Sequence, residues 1–184
     1  MEHTHVCPVS HAYALNNFLR RLIHPPAKIL QPFVNEGQTV LDVGCGPGHF
    51  SIAMAKLVGP TGRVIAADLQ QGMLEHVKKH AIGKKVLERI TLHACQQNRI
   101  ALEERVDFAL AFYMVHEHPH PQALIEELTD IVKPGGSFLL VEPKFHVSSE
   151  DFDSILDFTR QAGFFPKAVP RIRMSRAVLF RLPK

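Results

Sequence analysis

The sequence predicts an α/β fold: a doubly wound, mostly parallel, seven-stranded sheet with an antiparallel C-terminal strand. Three observations carry that prediction. Short apolar runs alternate with helical-period segments from Thr39 to Ala162, the pattern of a parallel sheet with helices on both faces. The first run ends in a glycine-rich turn, Gly44-Cys45-Gly46-Pro47-Gly48, and open sheets of this class hold ligands beyond the carboxyl ends of their strands. The last two β-like stretches are separated only by residues 170–175, too few for a helical crossover, so they must pair antiparallel.

The elements follow in order. Ala12 to Ile23 sets Leu15, Phe18, Leu19 and Leu22 at helical spacing, and Pro25-Pro26 stops it. A second helix is expected over Lys28 to Val34, closed by Asn35-Glu36-Gly37. Thr39 to Val43 reads as a buried strand, Phe50 to Leu57 as a helix, Gly62 to Ala67 as the second strand and Met73 to His80 as the second crossover helix. Arg89 to Ala94 alternates like a strand, and Val106 to Val115 is an apolar run too rich in β-formers for a surface helix. Gln122 to Val132 is amphipathic through Leu124, Ile125, Leu128 and Ile131. The turn Pro134-Gly135-Gly136 then leads into the strand Ser137 to Val141, and Asp151 to Ala162 is the last helix. The antiparallel pair is expected near Phe164 to Val169 and Arg176 to Leu182. Right-handed crossovers make the arrangement doubly wound.

Composition narrows the class. The 184 residues, 46% apolar and 21% charged, fit one globular domain. A formal charge of +3 does not call for a nucleic-acid partner. The chain start lacks the layout of a signal peptide, and no uncharged apolar run approaches the roughly 18 residues of a membrane span. Cys7, Cys45 and Cys95 are odd in number and widely spaced, unlike a disulfide framework, so a cytoplasmic setting is expected. The chain has twelve histidines, but the cluster His3, His5, His11 with Cys7 matches no zinc spacing. It reads as an arm rather than a metal site, and no metal is expected.

The glycine turn is where chemistry becomes legible. A dinucleotide loop of the form G-x-G-x-x-G needs its third glycine at position 49, which is His49 here. Asp42 precedes the turn, and a carboxylate beside it is poorly matched to a pyrophosphate. It suits a ligand with an ammonium and a carboxylate, such as the amino-acid end of S-adenosylmethionine. A purely structural tight turn is the plainer alternative. The second strand ends at Asp68, whose carboxylate can accept from two vicinal ribose hydroxyls. Its plainer alternative is an N-cap for the helix beginning near Gln71.

Val40 to Ser51 (VLDVGCGPGHFS) resembles the first motif of the class I S-adenosylmethionine-dependent methyltransferases, of the small, cap-less, small-molecule type. Val64 to Leu74 (VIAADLQQGML) is similar to the second-strand motif of that family. Val106 to His116 (VDFALAFYMVH) and Ile131 to Pro143 (IVKPGGSFLLVEP) are similar to its fourth- and fifth-strand segments. The resemblance covers roughly residues 26 to 165 with the motifs in the family's order. It implies a Rossmann-like methyltransferase fold, with S-adenosyl-L-methionine as cofactor and S-adenosyl-L-homocysteine as product. It implies that Asp42 and the turn around Gly44, Cys45, Gly46 and Gly48 face the methionine portion, that Asp68 holds the ribose, and that Leu69 covers one face of the adenine. Cys95 and Phe112 join the cofactor-binding set. Relatives often carry an acid after the third strand for the adenine amino group. Here Gln96 stands there, a neutral and weaker acceptor. Residues 1–34 become an arm and helices covering the site, and 38–184 the catalytic core.

Methyl transfer demands alignment and exclusion of water more than a dedicated base, so the acceptor site is less legible. The candidates lie beyond the fourth strand, in Tyr113-Met114-Val115-His116-Glu117-His118-Pro119-His120, with His116 as the catalytic candidate. Glu142 and His146 share that rim. Three imidazoles in a proline-containing loop need not converge on a metal. The basic residues Arg160, Lys167, Arg171, Arg173, Arg176, Arg181 and Lys184 read as protection of an edge strand rather than an RNA contact. The expected activity is methylation of a small-molecule acceptor. The alternatives are a catalytically silent cofactor-binding protein and an RNA or protein methyltransferase; a nicotinamide enzyme is disfavoured by His49.

Overall fold

The structure, a computed structural model, describes residues 23–184. The expected helix over Ala12 to Ile23, all but its last residue, and the histidine cluster with Cys7 lie outside the described residues. Helix α1 (Pro26–Leu30) precedes β1 (Thr39–Val43), α2 (His49–Leu57), β2 (Arg63–Asp68), α3 (Gln71–Gly83) and β3 (Ile90–Ala94). Then follow β4 (Val106–Phe112), α4 (Pro121–Ile131), β5 (Val132–Pro143), α5 (Ser149–Gln161), β6 (Phe165–Ala168) and β7 (Ser175–Arg181). Short 3-10 turns at Leu87–Arg89 and Val115–Glu117 complete the list.

The seven strands lie in the order β3-β2-β1-β4-β5-β7-β6. The first five are parallel, whereas β7 is antiparallel to both β5 and β6. The winding reverses between β1 and β4, where Leu41 pairs with Ala109 and Asp42 with Leu110. A crevice must open there at the carboxyl ends, because the chain leaves the two strands in opposite directions.

Strand alternation sorts the core into two layers. Val40, Val64, Phe108, Leu110 and Leu139 pack with Leu30, Phe50, Met54 and Val77 of α1 to α3. Their neighbours Leu41, Ile65, Ala109, Phe138 and Leu140 pack with Ile125, Leu128, Phe152 and Ile155 of α4 and α5. Both faces of the sheet are covered, which is why β1, β2 and β4 read as continuous apolar runs instead of alternating ones. Helix α4 starts on Pro121, whose missing N–H costs nothing at that position. The Ser148 hydroxyl caps α5 by accepting from the Asp151 N–H (3.0 Å).

The structure corrects several boundaries. α1 ends at Leu30, not Val34, and α3 runs from Gln71 to Gly83. β4 stops at Phe112 instead of Val115, because Tyr113 takes a left-handed conformation (φ 62°) that no strand continues. β5 begins at Val132, so the Pro134-Gly135-Gly136 turn is an irregularity within it, after which the ladder to β4 resumes at Phe108 and Ser137. No helix joins β3 to β4.

Candidate active site

A cavity of about 1050 Å³ occupies the crevice at the strand ends. Ten positions expected to bind cofactor (Asp42, Gly44, Cys45, Gly46, Gly48, Asp68, Leu69, Cys95, Gln96 and Phe112) fall close to it. All but Gly48 line its wall, and so does His116. Gly48 instead forms the left-handed residue that starts α2 (φ 87°).

The turn after β1 is built by backbone bonds. Cys45 donates its N–H to the Ala67 carbonyl (3.0 Å) and Gly48 its N–H to the Cys45 carbonyl (3.1 Å). Gly46 donates to Asp68 Oδ2 (2.9 Å). Three of the turn's amides are therefore engaged within the protein, so the turn's main offering to a ligand is space. A Cβ on Gly46 would meet nothing within 4 Å, yet φ there is 51°, a conformation that suits glycine. At Gly44 (φ 63°) a Cβ would press on the Met114 side chain at 3.0 Å.

Asp42 is buried and accepts from the Ser51 hydroxyl of α2 at 2.5 Å. Asp68 accepts from the N–H groups of Gly46 and Gln70, both at 2.9 Å. Burial raises its carboxyl above the ordinary range, against the pull of the Gln70, Gly46 and Leu69 amides. It is not the cap of α3, whose N-cap is Gln70 with no side-chain bond. Since a carboxylate offers about four lone-pair sites, acceptor capacity is left for a ligand. Beside it Leu69 shows 46% of its surface. A wall with a buried acceptor at a strand end, an exposed apolar shelf next to it and glycine-made space fits the adenosine and amino-acid parts of S-adenosylmethionine.

Cys95 and Gln96 begin the loop from β3 to β4, whose residues 95–100 all line the cavity. Glu127 of α4 pins that loop, accepting from Ile100 and Ala101 N–H at 2.8 Å each. Burial, then the charges of Asp68 and Glu127, push the Cys95 thiol up to about 12. Burial, then Asp42 and Asp68, also hold Cys45 well above the usual thiol range. Both thiols are thereby held in the protonated, weakly nucleophilic form.

The other end of the cavity is aromatic and basic. Phe112 lies against Phe50 (ring centroids 4.2 Å apart) and Tyr113 (4.5 Å). The Tyr113 hydroxyl is within hydrogen-bond range of Ser175 Oγ (2.6 Å) and His24 Nε2 (3.2 Å). Phe145 and Met174, both largely exposed, sit at the same wall. His116 Nδ1 lies 2.5 Å from Oε2 of Glu142, which is 0% exposed. Burial pulls the His116 imidazole down, but the hydrogen bond and charge of Glu142, with the charge of Glu117, outweigh it and raise its pKa. Burial lowers His118. Among the described residues, no three His, Cys, Asp or Glu side chains converge as a metal site, and no helix is long and apolar enough to cross a membrane.

His24, Phe145, Met174 and Ser51 were not singled out from the sequence. Ser51 was the accessible one, because it lies in the turn-and-helix segment that follows Asp42. The other three reach the wall through long-range packing that no local pattern announces.

Comparison with known proteins agrees with this geometry. A family profile described as a methyltransferase domain matches residues 40–136, more than half the chain. A demethylmenaquinone methyltransferase of Oceanobacillus iheyensis is 33% identical over 112 residues, covering 59% of this chain and 46% of that protein. The ubiquinone/menaquinone biosynthesis C-methyltransferase UbiE of Cupriavidus metallidurans is 31% identical over 115 residues, covering 62% and 46% respectively. The matched region thus spans a little under half the length of those two relatives. The crystal structure of a SAM-dependent methyltransferase from Aquifex aeolicus superposes with a TM-score of 0.86 at 25% identity, covering 96% of this chain and 100% of that one. Motif, crevice and kinship coincide on the same strand ends: the chain belongs to the methyltransferase-domain family and shares the class I fold of a SAM-dependent methyltransferase.

Proposed function

We propose that this chain transfers a methyl group from S-adenosyl-L-methionine to a small-molecule acceptor and releases S-adenosyl-L-homocysteine. One observation carries the reading: a single cavity runs from the glycine turn and Asp68 to the aromatic wall bearing His116. S-adenosylmethionine, when bound, supplies an electrophilic methyl group on a cationic sulfur, which departs with the bonding pair. The protein's own work is then to orient two reactants and keep water out.

In this reading Asp42 and the turn at Gly44, Cys45, Gly46 and Gly48 take the methionine end. Asp68 accepts from the ribose, Leu69 covers the adenine, and Gln96 accepts from its amino group, with Cys95 and Phe112 completing the wall. His116 stands at the acceptor end. Residues 38–184 make up the catalytic core. Ile23 and His24, the first described residues, also line the cavity. Phe112, Tyr113, Phe145 and Met174 favour an acceptor with a flat apolar ring. The names of the two relatives make a quinone-type ring the first class to try.

The test is transfer of a labelled methyl group from S-adenosylmethionine to hydroquinones, phenols and amines, with bulk RNA and protein in parallel. Label in the small-molecule fraction is expected. Label confined to RNA or protein, or tight cofactor binding with no transfer to any acceptor, would overturn the proposal.

A further inference from the structure

We propose that Glu142 and His116 form a proton-accepting pair, with Glu142 fixing the imidazole so that its Nε2 takes the proton shed by the acceptor; the acceptor class is then a neutral molecule bearing a weakly acidic hydrogen. This rests on reading the cavity as a methyl-transfer site.

A buried carboxylate is costly unless it is fully partnered, and the partners of Glu142 are specific. From β5 it stands opposite Arg176 of β7, yet that guanidinium donates to the Val147 carbonyl (2.8 Å). Both carboxylate oxygens serve the 3-10 turn that follows β4: Oε1 accepts from Val115 N–H (3.0 Å) and Oε2 lies against His116 Nδ1. The side chain thus fixes the turn and, through it, one imidazole ring. A carboxylate accepts, so in the neutral imidazole Nδ1 carries the hydrogen and Nε2 keeps its lone pair. Glu117 Oε1 stands 3.9 Å from Nε2, beyond hydrogen-bond distance, and His116 lines the cavity.

His118, two residues on, is arranged differently. Its Nδ1 accepts from the His120 N–H (3.1 Å), where the Nδ1 of His116 meets a carboxylate. Among the described residues, the titratable groups facing His116 are Glu142 from β5, Glu117 on its own turn and His146 beyond β5, whose ring stacks at 6.3 Å.

The chemistry balances. A neutral acceptor X–H that gains a methyl group loses its hydrogen as a proton. A lone or π pair of the acceptor forms the new X–C bond as the sulfur leaves with the old S–C pair. The X–H bonding pair stays on the acceptor as its lone or π pair, and the proton passes to Nε2 while Glu142 goes on accepting from Nδ1. Phenols and hydroquinone-type rings meet this requirement, whether the methylated atom is oxygen or an activated ring carbon. A tertiary amine, which has no proton to lose, does not.

The test needs no acceptor. In the ligand-free full chain, nitrogen and proton NMR of the histidine rings reads the tautomer and midpoint of His116. The neutral ring is expected to carry its hydrogen on Nδ1, with a midpoint above the ordinary value of about 6.5. Glu142→Gln should lower that midpoint by about one pH unit or more, and Glu142→Asp should restore part of it. A neutral ring protonated on Nε2, or a midpoint at or below the ordinary one, overturns the pair. An unmoved midpoint in Glu142→Gln does so too. The tautomer is read in the wild type, so a variant that fails to fold does not block the test. Calorimetry with S-adenosyl-L-homocysteine separates the two ideas. No binding by the wild type sinks the methyl-transfer reading and this pair's role with it, whereas binding with the wrong tautomer sinks the pair alone.

Discussion

At the residue scale, Asp68 joins three things: the end of β2, the turn after β1 and the cavity wall. Its two recorded bonds hold the Gly46 and Gln70 amides in place, and its remaining lone pairs are the acceptors proposed for the ribose. Hydrogen bonds to a charged group contribute about 1.5–3 kcal/mol. Asp68→Ala should therefore weaken S-adenosyl-L-homocysteine binding about 10- to 100-fold by calorimetry, part of it through the loosened turn. Asp68→Asn, which keeps one acceptor, should fall between that variant and the wild type. The thiols give an independent check on burial. With the Cys95 pKa near 12, its thiolate population at pH 8 is about three orders of magnitude below that of a free thiol. Iodoacetamide labelling followed by peptide mass spectrometry should leave Cys95 and Cys45 unmodified in the folded chain and alkylate both in denaturant. Fast native labelling of Cys95 would contradict the packing around Asp68 and Glu127.

At the scale of elements, the helices carry their signals locally, and α5 is the clearest case. Ser148 caps it, Glu150 and Asp151 occupy its first turn, and Phe152, Ile155 and Leu156 form its buried face. Ser148→Ala should cost about 0.5–2 kcal/mol of stability in urea unfolding; no loss would mean the cap does not form in solution. The sequence made the order of strands and helices legible because a two-sided core demands continuous apolar runs and amphipathic helices. Where it failed, distant bonds decide the matter. Phe112-Tyr113-Met114-Val115 is apolar throughout, so nothing local ends β4. The left-handed turn at Tyr113 is held by its hydroxyl against Ser175 and His24 and by its N–H on the Val141 carbonyl. The candidate site divides in the same way. Asp42, the glycine turn and Asp68 were readable because one short segment and one strand end contain them. That two of the turn amides are already engaged, by Ala67 and Asp68, depends on the packing of β1 against β2. That Glu142 meets His116 depends on the register of β4 with β5, which no residue spacing reveals.

At the scale of the whole molecule, the sheet is a platform with both faces buried and its cavity at one end. The far end of the core is anchored by Phe138, Phe164 and Phe180, all fully buried and in mutual ring contact through Phe138. Phe138→Ala should lower stability by about 3–5 kcal/mol in urea unfolding while leaving cofactor affinity little changed, because that cluster lies apart from the cavity wall. The reversal of winding between β1 and β4 is what opens the cavity, and the chain places its turn, its carboxylates and its histidine there. Whether that crevice is the seat of adenosyl-ligand binding is decided most directly by titrating S-adenosyl-L-homocysteine into the wild type and Asp68→Ala side by side. The predicted result is one site per chain in the wild type and an affinity at least about tenfold weaker in the variant. Equal affinity in both, or no binding heat from the wild type, would contradict it.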